Sequence, residues 1–178
     1  YAVQGRFQKA ISFYDRALAI LEESIGREHS TYSNSLKNKA DVYFAKSEFP
    51  EAMRLYQLAL DIDQKALGID HPTVALGQLT LGAAYAAQGR LANAIESARN
   101  ANAVLRDRFT GSAIEETKGI LSEQQRARFG FSLHVDLALH PSQEGDRGEL
   151  VAEAFEVMQL GRTSSAAGAL ARMAARFA

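Results

Sequence analysis

The groups in this sequence that could do chemistry are few and poorly spaced for it. His29 and His71 occupy the same place in two copies of an internal repeat, so a catalytic or metal role would have to be played twice, each time at a linker between helices. A structural role in the loops is the expectation. His134 and His140 stand six positions apart and so do not share one helical face, as metal ligands at i and i+4 would. Glu22-Glu23, Glu51 and Glu115-Glu116 fall in solvated helical patterns, with no partner forced close enough to split their pKa values for acid–base work. Thr163-Ser164-Ser165, between Gly161 and Gly168, matches neither a nucleophile elbow nor a phosphate loop. Arg162, Arg172 and Arg176 read as charges that keep an apolar helix soluble. The absence of cysteine removes thiolate nucleophiles, thiolate metal sites and disulfides. The expectation is therefore no catalytic residue, no metal site and no cofactor.

Composition narrows the partners. A formal net charge of −1 lacks the basic excess that binding to a phosphate backbone requires, so no nucleic acid is expected. No apolar run reaches the roughly 18 residues of a membrane span, and the start YAVQGRFQKA does not read as a secretory leader. No membrane association is expected, and a cytoplasmic setting follows as the default. The abundance of Ala, Leu, Glu, Arg and Gln favours helix over strand.

The elements that would position any site repeat. Tyr1, Tyr43 and Tyr85 recur at intervals of 42 residues, and the same shift superposes Phe7 on Phe49, Ala10 on Ala52, Tyr14 on Tyr56, Ala17 on Ala59, Leu18 on Leu60 and His29 on His71. A third copy keeps Tyr85, Gly89, Arg90, Ala94, Ile95 and Ala101, then diverges after about Leu105. A fixed period of this size means a solenoid. Within a copy, Ala10, Tyr14, Ala17, Leu18 and Leu21 fall on one face of a 3.6-residue repeat. Breaks at Gly5, Ser47 and Gly89 split each copy into two helices, and breaks at Gly26 and at Gly68 to Pro72 separate the copies. The pattern predicts helices over 7–25, 30–45, 49–67, 73–87 and 91–108. Ala40, Gly82, Ala52 and Ala94 should sit where helices cross closely, and Tyr56 should be buried.

The stretch Leu67-Gly68-Ile69-Asp70-His71-Pro72-Thr73-Val74, with Leu81-Gly82, Tyr85, Gln88-Gly89-Arg90, Ala94 and Ala101, resembles a tetratricopeptide repeat of the kinesin-light-chain type, a variant that lengthens the 34-residue motif to 42. The resemblance covers roughly residues 1–108. It implies an all-α superhelix: a repeat array over 1–110, made of a half repeat (1–27) and repeats over about 28–69 and 70–110, followed by a degenerate helical extension over 111–178. Lys39 stands where the family usually has Leu, Gln78 replaces an apolar residue, and Ala98 replaces the aromatic seen at Tyr14 and Tyr56. These departures suggest that neighbouring helices complete the third repeat's core. The family's concave groove, carried over, falls on Asn34, Lys37, Asn38 and Asp41 in one hairpin and on Leu76, Leu79, Thr80 and Ala83 in the next. An Asn side chain offers both donor and acceptor to an extended peptide. Lys37 and Asp41 would add charge selectivity, and Leu76 and Leu79 apolar contact; core packing is the alternative for Leu79, and capping of a neighbouring carbonyl that for Asn38.

Beyond residue 111, Ser122-Glu123-Gln124-Gln125 fits a capping box opening a helix toward Leu139, Pro141 to Gly148 a loop, and Glu149–Leu160 and Thr163–Phe177 further helices. The order of Ala154-Phe155-Glu156, Gly161-Arg162 and Ala167 is similar to the helical region that precedes the caspase-like CHAT protease module of bacterial repeat proteins. The resemblances imply a scaffold that binds a peptide or partner protein and is not itself an enzyme. The alternative is the sensor arm of a larger CHAT-type cysteine protease whose catalytic module is absent from this chain. Tyr1 begins inside a helix and the last helix reaches the final residue, so both ends read as continuing in a longer chain. The uncapped repeat ends could also support a homo-oligomer.

Overall fold

The computed structural model describes residues 2–111, 132–141 and 146–159, with side chains from Gly5 to Arg106 in the first of these. Five helices lead: α1 (Ala2–Ile25), α2 (Ser30–Ala45), α3 (Phe49–Leu67), α4 (Pro72–Ala87) and α5 (Leu91–Gly111). Two further helical segments cover 132–138 and 147–159, and no strand occurs among the described residues. α2 with α3, and α4 with α5, form closely packed hairpins, while α1 packs on α2 and α3 on α4.

The punctuation has local causes. His29 and His71 accept a hydrogen bond at Nδ1 from the backbone N–H of Thr31 (3.1 Å) and Thr73 (3.2 Å), closing the exposed N-termini of α2 and α4. This capping is the structural loop role expected of the two histidines, made specific. Pro50 and Pro72 sit in the first turns of α3 and α4, where a missing N–H costs nothing. The turns within the hairpins run through the left-handed region at Gly89 (φ 72°) and, one period earlier, at Ser47 (φ 63°). A side chain at Ser47 meets steric cost that glycine at the same repeat position avoids.

One expected break is absent. Gly5 occupies the repeat position of Ser47 and Gly89, yet α1 runs unbroken through it from Ala2 to Ile25. The turns at 47 and 89 are stabilised by a preceding helix folding back onto the next. At Gly5 the chain keeps α-helical geometry instead of turning.

The core is continuous from α1 to the last described segment. Leu18, Leu36, Ala40, Ala52, Leu55, Tyr56, Ala59, Leu60 and Leu81 form the central cluster, so Tyr56 and the small residues lie where the periodicity placed them. At Gly82, a Cβ would stand 3.2 Å from the Ala94 carbonyl oxygen and 3.3 Å from Ser97 Cβ, which marks the close α4–α5 crossing. Ala98, small where an aromatic was expected, is covered by Leu137, Ala138, Leu150 and Ala154 from the two C-terminal segments. Neighbouring helices do complete the third repeat. The chain thus forms an all-α stack of hairpins.

Candidate functional site

The first helices of the two hairpins present matching faces. On α2, Thr31, Asn34, Asn38, Asp41 and Ala45 are exposed; on α4, Thr73, Leu76, Thr80 and Ala83 are half-buried and Ala87 is exposed. Each residue of the second set lies one period after its counterpart in the first, and both sets follow the spacing of a single helical stripe. The outer positions keep Thr and Ala in both helices. The middle changes from Asn-Asn-Asp to Leu-Thr-Ala, a passage from polar to nearly apolar along the stack.

Within this face the expected residues divide. Asn34 and Asn38 are exposed and make no side-chain hydrogen bond among the described residues. Lys37 is already engaged: its Nζ lies 3.0 Å from Oδ2 of Asp63, a fully buried residue of α3 (0% exposed). Ser33 donates to the other oxygen of the same carboxylate. Asp41 accepts a hydrogen bond from the Tyr56 hydroxyl at 2.5 Å. Burial foremost, and then the bond to Asp41, push the Tyr56 phenol far above its ordinary value, so it stays protonated and donates. Leu76 and Ala83 keep part of their surface open, and the Thr80 hydroxyl is turned back onto the Leu76 carbonyl at 3.0 Å. Leu79 is 1% exposed and packs with Ala75, Ala101, Leu105 and Val157, so it braces the face from behind and offers a ligand nothing.

Asp63 and Ser33 escaped the sequence reading, although a signal existed. One period before and after Asp63 stand Leu21 and Leu105, and a carboxylate in an otherwise apolar register position demands a buried partner.

A second polar cluster joins the C-terminal segments to α5. His134 (2% exposed) meets Asn102 Nδ2 through Nδ1 at 2.9 Å and Glu153 Oε1 through Nε2 at 2.6 Å. Arg99 grips Glu153 with two bonds of 2.6 and 2.5 Å. Burial holds His134 below its ordinary value, and the Arg99 guanidinium holds the Glu153 carboxyl below its own. A neutral imidazole that accepts from Asn102 at Nδ1 and donates to Glu153 at Nε2 satisfies both contacts. With no nucleophile among its bonded partners, the cluster is an anchor between three helices.

The remaining candidates are spread out. Glu22 pairs with Arg27 and Glu51 with Arg54, both at the surface. Glu115, Glu116, Arg162, Thr163, Ser164, Ser165, Arg172 and Arg176 lie outside the described residues. Among the described residues no group of three or more His, Asp or Glu is placed to hold a metal ion, and no helix is long and apolar enough to cross a membrane.

A family model described as Tetratricopeptide repeat matches residues 1–65 and 33–107. That match stops before the residues on which the likeness to the CHAT-preceding region rests. No curated protein matches the chain. Among solved structures it is similar to BtubC (BKLC) from P. vanneervenii, with 19% identity and a TM-score of 0.65 over 94% of this chain and 59% of that one. It is also similar to a protein described as a kinesin light chain with nearly identical TPR-like repeats from Podosopora anserina, with 22% identity and a TM-score of 0.52 over 95% of this chain and 85% of that one. A variant of the latter gives 21% identity and the same TM-score, 0.52, over 96% and 90%. At such identities the likeness concerns the fold, and the chain spans only 59% of the length of BtubC. The 42-residue register, the small residues at the helix crossings and a family match across most of both hairpins lead to one assignment: this chain belongs to the tetratricopeptide repeat family.

Proposed function

We propose that the α2–α4 face holds a segment of a partner protein, and that the chain works as a binding scaffold with no catalytic step of its own. Tetratricopeptide repeats are in general modules of protein–protein interaction, and the observation that carries the reading here is the aligned stripe. Asn34 and Asn38 stand exposed with unused donors and acceptors, and Leu76, Thr80 and Ala83 continue the stripe with a shallow apolar surface. A bound peptide would exchange backbone hydrogen bonds with the two Asn amides and lay small apolar side chains over α4. Lys37 and Asp41 enter this reading differently from the isolated residues. Each is held by a partner behind it, Asp63 and Tyr56, so each offers a charge fixed in place and not a mobile arm.

The test is a peptide display selection against the immobilised chain, followed by NMR mapping of the selected peptide. Shifts centred on Asn34, Asn38, Leu76, Thr80 and Ala83 are expected, with Asn38→Ala and Leu76→Glu each weakening binding by about tenfold, near 1.4 kcal/mol. Shifts confined to the outer faces of α3 and α5, or affinity untouched by both substitutions, would overturn it.

A further inference from the structure

The charges on the first helices of the two hairpins are balanced everywhere except at one place. α4 carries no Lys, Arg, Asp or Glu from Pro72 to Ala87. On α2 and its C-cap every lysine has a carboxylate: Lys37 meets Asp63 at 3.0 Å, Lys39 meets Asp15 at 2.6 Å and Lys46 meets Glu48 at 2.8 Å. Asp41 differs. Its bonded partner is the Tyr56 hydroxyl, a donor that brings no charge, and among the described residues it has no ion pair. The Tyr56 bond is made to Oδ1, so the exposed carboxylate keeps Oδ2 open.

Lys37 and Asp41 are both held in place, but a ligand feels them unequally. Lys37 and the buried Asp63 form a pair with no net charge, and the field of such a pair fades faster with distance than that of a lone charge. Asp41 keeps its full unit. The α2–α4 face therefore carries one net negative charge, set on α2 in a stripe that is otherwise neutral and turns apolar at Leu76 and Ala83. Resting on the reading of this face as the binding site, we infer that its ligand is a peptide segment with a Lys or Arg side chain on Asp41 and small uncharged side chains over α4. The open Oδ2 accepts an N–H of that cation in a charge-assisted bond, while Tyr56 keeps the carboxylate from turning away. An acidic residue at the same place meets like charge.

The probe is an array of octapeptides of Ala, Ser, Thr and Val around one fixed central residue, Lys, Arg, Gln or Glu, titrated against the chain at low salt. The Lys and Arg sets are expected to bind about tenfold more tightly than the Glu set and about threefold more tightly than the Gln set. Added salt should shrink both ratios. Asp41→Asn keeps an acceptor for Tyr56 and removes the charge, so with helical content unchanged it should leave the Gln set as it was and bring all the sets within about twofold of one another. Asp41→Lys should reverse the order. Sets that bind with no preference for the cation, or a preference that survives Asp41→Asn, would overturn the inference; the face itself stands in that case if Asn38→Ala and Leu76→Glu still weaken the Gln set. Sets that ignore both of those substitutions, or fail to bind at about 1 mM peptide, would overturn the face and the inference with it.

Discussion

The two complete hairpins fill the same positions in opposite ways. In α2–α3, Ser33, Lys37 and Asp63 form a polar knot; one period on, in α4–α5, the same three positions are Ala75, Leu79 and Leu105, an apolar cluster. The exchange extends further, since Asp41 and Tyr56 are bonded in the first hairpin and replaced by Ala83 and Ala98 in the second. Either filling is acceptable because each is complete at these three positions: Ser33, Lys37 and Asp63 satisfy one another, and Ala75, Leu79 and Leu105 have no polar side-chain group to satisfy. What differs is the cover each needs. The apolar cluster leans on Val157, Leu133 and Val135 from the C-terminal segments, whereas the polar knot is closed by residues of its own hairpin.

Mixing the two fillings should be worse than either. Leu79→Lys places an ammonium in the apolar cluster with no carboxylate opposite, and urea denaturation should show a loss of about 4 kcal/mol. Asp63→Ala strands Lys37, while the Ser33 hydroxyl keeps the Ser30 carbonyl oxygen as acceptor at 2.9 Å; because the Lys37 side chain is 21% exposed and can reach water, the loss should be smaller, about 2 to 3 kcal/mol. The triple change Ser33→Ala, Lys37→Leu, Asp63→Leu copies the second hairpin into the first and should fall within about 1 kcal/mol of wild type. A triple variant as damaged as Asp63→Ala alone would show that the hairpins are not interchangeable.

Acid should find the C-terminal end of the stack first. His134 takes up a proton less readily folded than unfolded, so stability is full above its ordinary value of 6.5 and falls as pH drops below it. Glu153 is held below 4.5, so a second loss follows as the unfolded carboxyl protonates below that value and the folded one lower still. Denaturation midpoints against pH should therefore show two descents, and His134→Gln should abolish the upper one while Arg99 still sustains most of the lower. The smallest effect belongs to the turns. Ser47→Gly relieves a left-handed φ that Gly89 adopts freely, and should raise stability by about 0.5 to 1 kcal/mol.

The period made most of the hairpins legible, because Ala40, Ala52, Tyr56, Gly82 and Ala94 each inherit an environment from their register. Four features escaped, for separate physical reasons. Continuation of α1 through Gly5 is not told by residue type, since Gly89 at the same register position turns. Leu79 shares its position with Lys37, whose side chain keeps 21% of its surface open while that of Leu79 is buried; the same place therefore reads as groove from the lysine and as core from the leucine. Asp63 is hidden because its bonds run back to α2 across 26 and 30 residues. The His134 cluster joins α5 to segments that do not keep the 42-residue register, so no superposition could pair Asn102 or Arg99 with it.

The identical rims of α2 and α4, Thr31 with Thr73 and Ala45 with Ala87, imply that the wall could be grown in whole courses. Duplicating residues 28–69 would insert one storey whose seams match those above and below, lengthening the reach along a partner while leaving every other course undisturbed. A duplication a few residues short or long would instead turn each later storey out of line with the masonry beneath it.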